Sequence, residues 1–352
     1  MKLLRNEIMG ILDKVKDVIS SKIADVPTIK ATMLGPRAVG KTSVMASIFS
    51  DSRDEIAGTK LYFRPQKDTA SVLTSKKLQL MNVIVKRESM ADKPNTGAIE
   101  ASNTVTPFDF EMGILGREKS VNISITDFPG EYLNSQPKMV SDFIADSHIV
   151  MIAIDTPYLM EEDGLYNEEK NDVEKVISFI TKYSDSIKDK MVLLVPLKCE
   201  RYFHDGRISE VTSKVKNVYD KLLKFCGENN IACAITPIQT LGGVEFDKFV
   251  DNNNALSYLT KLSTYRFYGD NPKYTPMFCV QPLYYLLTYV ANCYEWRNAQ
   301  QNGFFGKLKG SLLSMLKDDV DFLHEIKKLS SKVIAEGNGY HIAKFNTILN
   351  LK

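Results

Sequence analysis

The ten residues LGPRAVGKTS, positions 34 to 43, carry the strongest chemical pattern in the chain. Gly35, Pro36, Arg37, Ala38, Val39, Gly40, Lys41 and Thr42 satisfy the spacing of a glycine, four residues and then Gly-Lys-Thr, with a β-rich run before them and a helical run after. The glycines let the backbone fold tightly, so the N–H groups of Gly35, Ala38, Val39, Gly40, Lys41, Thr42 and Ser43 turn inward toward phosphate oxygens. The helix that follows adds the positive end of its dipole. In such a cradle Lys41 reaches the β and γ phosphates and the Thr42 hydroxyl ligates Mg2+. Further on, Asp127-Phe128-Pro129-Gly130 closes the strand-like run VNISITD, where an aspartate can hold Mg2+ through water and the Gly130 N–H can meet the γ phosphate. Alone, that tetrapeptide is a turn; downstream of a phosphate loop it reads as the second half of one site.

These residues need a scaffold, and the hydrophobic pattern supplies one. TIKATMLG, HIVMIAID, MVLLVPL and IACAITPI are apolar runs bounded by polar turns, as buried parallel strands are. Helical stretches near 168–185 and 208–226 lie between them, which predicts an α/β sheet with helices on both faces, a three-layer arrangement. Only GILGREKS separates FDFEM from VNISITD, so those two form a hairpin and place one antiparallel strand at the edge of a mostly parallel sheet. Residues 51–105 break the rhythm and read as an insertion containing a helix, SVLTSKKLQLMNVIVKRESM. The chain divides into an amphipathic leading helix (1–26), a phosphate-loop domain (27–240), and a mixed, largely helical extension (241–352), giving helical additions at both ends. In that extension LGGVEFDKFVDNNN reads as loop, STYRFYG and YTPMFCV as strands, and about 282–335 as helices.

The order of phosphate loop, hairpin, DFPG and a later strand ending in LKCE resembles the Ras-like, translation-factor-related class of phosphate-loop GTPases, over about residues 28–240. A narrower similarity, to GTPase-like modules of bacterial conflict systems, rests on GPRAVGKTS, PLKCE and QPLYYLL. The resemblance implies Mg2+ as cofactor, GTP or GDP as ligand, and a protein effector or regulator as partner. In that class an Asn/Thr-Lys-x-Asp motif selects guanine; here Lys198 matches, Glu200 replaces the aspartate with a longer carboxylate, and Leu197 replaces the leading Asn or Thr. GTP is therefore the expected ligand, with ATP as the alternative. A threonine before the hairpin should join Mg2+ and the γ phosphate; Thr104 and Thr106 both qualify, and the 21 residues from Thr106 to Asp127 favour Thr106. The last base-contacting loop follows IACAITPI, making Gln239 and Thr240 candidates.

Two departures bear on rate. Glu131 stands where the family places a water-orienting glutamine, which implies slow intrinsic hydrolysis. Arg37 occupies a loop position where the family favours glycine; it either folds inward as a built-in finger for transition-state charge or points outward to solvent or a partner. The candidate catalytic set is thus Lys41, Arg37, Glu131 and Thr106, and the metal set Thr42, Thr106 and Asp127. Asp155, at the end of HIVMIAID, is either a turn cap or a nucleotide-side group.

Composition excludes several other classes. Lys and Arg total 45 against 43 Asp and Glu, a net charge of +2, so no bulk field favours nucleic acid. Five cysteines without CxxC spacing argue against a disulfide framework or structural zinc and fit a reducing cytoplasm. The four histidines, His148, His204, His324 and His341, make no metal-binding pair. Phe304, Phe305, Leu308, Leu312, Leu313 and Leu316 form an apolar face fringed by lysines; packing on the domain is the expectation for residues 304–317, with membrane contact as the alternative.

Overall fold

The computed structural model describes residues 26–85, 105–183, 190–229, 231–254, 257, 259–299, 319–335 and 340–341. The leading helix, Thr104 and the amphipathic segment 304–317 lie outside these. Strands Ile149–Asp155 (β5) and Met191–Leu197 (β6) are buried at every residue, which is why their sequences are uninterrupted apolar runs. With Thr28–Leu34 (β1), Leu61–Pro65 (β2), Thr106–Ile114 (β3), Lys119–Asp127 (β4), Ala232–Ile235 (β7) and Tyr340–His341 (β10) they form an eight-stranded sheet ordered β10-β7-β6-β5-β1-β4-β3-β2. The pairs from β4 through β1, β5 and β6 to β7 are parallel.

The predicted hairpin is β3–β4, antiparallel, with Thr106 opposite Asp127. Yet β3 is not the edge, as the sequence reading had it. β2, from within the expected insertion, pairs antiparallel with it and β10 pairs antiparallel with β7. The reason is physical: β3 carries the fully buried Phe108, Phe110 and Met112, and an uncovered strand of that kind would offer open backbone groups to other chains. β2 covers it, with Phe63 stacked on Phe110 at 4.6 Å between ring centroids.

Period-two alternation sorts the strands between two helical layers. Ile29, Ala31 and Met33 of β1 and Met151 and Ala153 of β5 pack with Val44 and Ile48 of helix Lys41–Ile56 (α1) and with Leu73 and Leu80 of helix Lys67–Val85 (α2). Leu283 and Leu287 of helix Gln281–Ala299 (α3) and Phe322 and Leu329 of helix Val320–Ala335 (α4) join the same cluster. The alternate residues Val150, Ile152, Val192 and Leu194 face the other way, against Val140, Val176, Val211 and Leu222 from the helices between residues 137 and 228. The α/β class with a mostly parallel sheet and three layers is therefore the architecture.

Beyond residue 240 the stretch read as loop contains a strand, Val244–Asp251 (β8), which pairs antiparallel with Lys261–Phe267 (β9) as a separate two-stranded sheet. YTPMFCV, expected as a strand, contributes only the bridges of Tyr274 to Gly242 and Met277 to Gln239. Among the described residues no helix is long and apolar enough to cross a membrane.

Candidate functional site

The phosphate loop leaves the carboxyl end of β1 in a tight curl. Gly35 has φ 145°, and a Cβ there would lie 2.6 Å from the Ala153 carbonyl of β5, so only glycine fits. Ala38 is held left-handed at φ 59°, the kind of backbone strain that collects at binding sites. Lys41, only 7% exposed, folds over the curl and donates from Nζ to the carbonyls of Gly35 and Pro36, both at 3.1 Å. The Val44 N–H bonds the Gly40 carbonyl at 3.0 Å, so α1 starts at the loop and aims its open N-terminus into the cleft.

β4 delivers the opposing wall, since Asp127 sits in register with Met33 of β1. Thr42 donates from Oγ1 to Asp127 Oδ2 at 2.9 Å. Asp127 Oδ1 is buried with no hydrogen-bond partner and lies 3.7 Å from Lys41 Nζ. Burial pushes the Asp127 carboxyl up against the pull of Lys41, the Thr42 hydroxyl and Lys76. Burial likewise draws the Lys41 ammonium down, opposed by Asp127 and Glu131. A buried carboxylate oxygen with spare capacity beside a threonine hydroxyl is an oxygen donor set of the type Mg2+ takes, so the residues present fit that ion. Gly130 presses the DFPG turn onto the phosphate loop: a Cβ there would come 2.8 Å from the Arg37 nitrogen.

The far end of the cleft is furnished differently. Lys198 follows β6 with φ 62°, and its Nζ bonds Asp155 Oδ2 at 2.7 Å while lying 5.5 Å from the Tyr265 ring centroid. Burial draws this ammonium down, but Asp155 and Tyr265 outweigh it and hold it above the usual lysine range. Glu200 is 3% exposed, and its Oε1 accepts from the Thr240 N–H at 2.7 Å, the Thr240 hydroxyl at 3.2 Å and the Leu241 N–H at 2.8 Å. Burial raises the Glu200 carboxyl, and these N–H donors act against it. Lys170, drawn down to about 8 by burial, donates to the Arg37 carbonyl at 2.9 Å and so ties this end to the phosphate loop.

The cleft between these ends opens to solvent on one side. Of the expected site residues, Arg37, Ala38, Val39, Gly40, Lys41, Thr42, Ser43, Asp127, Gly130, Lys198 and Glu200 line it together. Arg37 is exposed at its mouth. Gly35 shapes the curl from behind the lining. Thr106 stands across the β3–β4 ladder from Asp127 and Glu131 lies on the exposed turn after Gly130; neither is part of the lining. Gln239 is buried, with its backbone paired to Met277, and is not part of the wall; the other candidate of that loop, Thr240, lines it together with Leu241. Asp155 sits at the N-cap of the short helix Thr156–Met160 but its side chain makes no capping hydrogen bond; it is a buried ion-pair partner of Lys198, and Asn171 Oδ1 accepts from its N–H at 2.8 Å. The sequence reading missed Lys76, Leu80, Val244 and Tyr265 as wall residues. Their types carry no motif.

No protein-family model matches the chain, and no curated protein does. Among solved structures it resembles the Ski7 GTPase-like domain of S. cerevisiae bound to GDP and inorganic phosphate, at 17% identity and a TM-score of 0.40, over 73% of this chain and 50% of that one. The same domain bound to GTP aligns at 14% identity and a TM-score of 0.38, over 63% of this chain and 45% of that one. The similarity thus spans half or less of the length of those structures.

Proposed function

We propose that the chain binds a purine nucleoside triphosphate with Mg2+, GTP ahead of ATP, and acts as a slowly hydrolysing switch whose nucleotide state is read by a protein partner. One observation carries this reading: Lys41 is curled over the Gly35 and Pro36 carbonyls beside a buried Asp127 oxygen that has no hydrogen-bond partner. The loop N–H groups and Lys41 would grip the phosphates. Thr42 and Asp127 would hold Mg2+, with Thr106 joining them from the first position of β3; when bound, the ion offsets charge on the β and γ oxygens. Glu131, whose charge already acts on Lys41, brings a carboxylate toward the γ phosphate, which disfavours rapid attack by water. Arg37, at the mouth, either swings inward over the phosphates or meets the partner. Guanine would be read by the part of the Glu200 carboxylate not taken by Thr240 and Leu241, so discrimination against adenine should be modest.

A second reading, a nucleotide-bound scaffold without turnover, is favoured by the same Glu131. Denaturing the purified chain and chromatographing what it releases tests the proposal. Retained GDP, with phosphate release on added GTP, supports the switch; retained GTP without release supports the scaffold; retained adenine nucleotide supports an ATPase. If nothing is retained and calorimetry finds neither purine triphosphate bound at millimolar concentration with magnesium, the proposal falls.

A further inference from the structure

Lysine is rarely buried, because its ammonium gives up water, yet α2 buries one. Thr69, Leu73, Lys76, Leu80 and Val83 follow each other at alternating steps of four and three residues and are all buried, so Lys76 occupies the middle of an otherwise uncharged inner stripe. Lys76 is only 8% exposed, and with Leu80 it lines the same cleft as Lys41, Thr42, Ser43 and Asp127. A buried lysine commonly lays its stem along apolar surface while its head reaches a polar space.

We propose that Lys76 is a second phosphate-binding cation, contacting the terminal phosphate of a bound nucleoside triphosphate and so letting α2 distinguish triphosphate from diphosphate. This rests on the nucleotide reading above. The placement is firm: the Asp109 N–H donates to Thr69 Oγ1 at 2.8 Å and the Gln66 N–H to the Asp109 carbonyl at 2.8 Å, pinning the start of α2 to β3. Leu73 and Leu80 lock the helix against the core shared with α1. Lys76 also acts on the Asp127 carboxylate, which marks the Mg2+ and γ-phosphate side of the cleft. Charge supports the same assignment. The cleft is lined by Arg37, Lys41, Lys76 and Lys198 against Asp127 and Glu200, two more cationic than anionic side chains. Lys198 is matched by Asp155, and Lys41 lies 3.7 Å from Asp127 Oδ1 at the phosphate end, the side on which Lys76 also acts.

The test is titration calorimetry of the full chain with magnesium and GTP or GDP, and ATP or ADP in parallel, on the unaltered protein, Lys76→Met, Lys76→Arg and Lys41→Ala. Lys76→Met should weaken the triphosphate by about tenfold or more, as loss of a charge-assisted contact does, and the diphosphate by less than about threefold. Lys76→Arg should recover most of the loss, and Lys41→Ala should weaken both ligands. Equal losses on both ligands in Lys76→Met, or none on either, overturn the assignment. An unaltered protein that binds neither ligand overturns the nucleotide reading itself and this inference with it. Should Lys76→Met fail to fold, amine acetylation of the unaltered protein read by mass spectrometry decides instead: GTP or ATP should shield Lys76 where GDP or ADP does not, and equal labelling overturns the proposal.

Discussion

At the phosphate end of the cleft, a buried carboxylate and a buried ammonium face each other with bonding capacity left over, since Asp127 Oδ1 has no hydrogen-bond partner. At the base end more of the bonding capacity is spent within the protein: Lys198 bonds Asp155 Oδ2, and Glu200 Oε1 accepts from the Thr240 and Leu241 N–H groups, while Asp155 Oδ1 is buried with no hydrogen-bond partner. Tyr265 of β9 completes that wall. The first end leaves a carboxylate oxygen open beside an ammonium, whereas the second ties its ammonium and one oxygen of each acid into bonds within the protein. Under the proposed nucleotide reading, the difference would mean that Lys198 and Glu200 serve structural bonds more than base recognition.

The largest effect that can break this comparison is on stability. Asp155→Ala would strand the Lys198 ammonium, whose side chain is 13% exposed, without a counter-charge and should cost about 3–5 kcal/mol in urea unfolding. A cost below about 1 kcal/mol would mean the ion pair does not hold the base end together. Next, Lys41→Ala should weaken nucleotide binding by about a hundredfold, read by calorimetry, because it removes the cation at the end built to receive one. Unchanged binding would reverse the roles of the two ends. Glu200→Ala should destabilise by about 1–3 kcal/mol by leaving the Thr240 and Leu241 N–H groups unsatisfied, and Glu200→Gln, which keeps an acceptor, by less. If instead both substitutions leave stability intact and abolish only the purine preference, Glu200 serves the base and not the loop.

The smallest effect is a control away from both ends. His148 precedes β5, and its Nδ1 accepts from the Lys30 N–H at 3.1 Å; burial and the neighbouring Lys190 ammonium pull its pKa down to about 4. A depressed histidine leaves the unfolded chain binding more protons, so stability is full above about pH 6.5 and declines toward pH 4. The loss at pH 5 should be about 1–2 kcal/mol in urea melts, and His148→Gln should flatten that slope.

What the sequence revealed follows from how local each signal is. The phosphate loop and DFPG are contiguous, and their chemistry constrains neighbouring residues, so both could be read directly. β5 and β6 are unbroken apolar runs and could be read as well. β8 could not, because the register shifts between Phe246 and Phe249 and breaks the alternation that marks a strand. β2 was hidden by its five-residue length and by Arg64 and Pro65 within it. At the site, Lys76, Tyr265 and the partners of Glu200 and Lys198 come from distant parts of the chain, joined only when the sheet assembles. A lysine in an amphipathic stripe and a tyrosine in a hairpin announce nothing about what they face.

One consequence follows from where α3 and α4 sit. Leu283, Leu287, Phe322 and Leu329 fill the same core as Val44 and Ile48, the inner residues of the helix that begins with Lys41. Excising the chain after residue 240 would therefore not leave the phosphate-loop layer intact. It would strip an oily flank bare, and a premature stop before Leu283 would be felt under the phosphate loop itself.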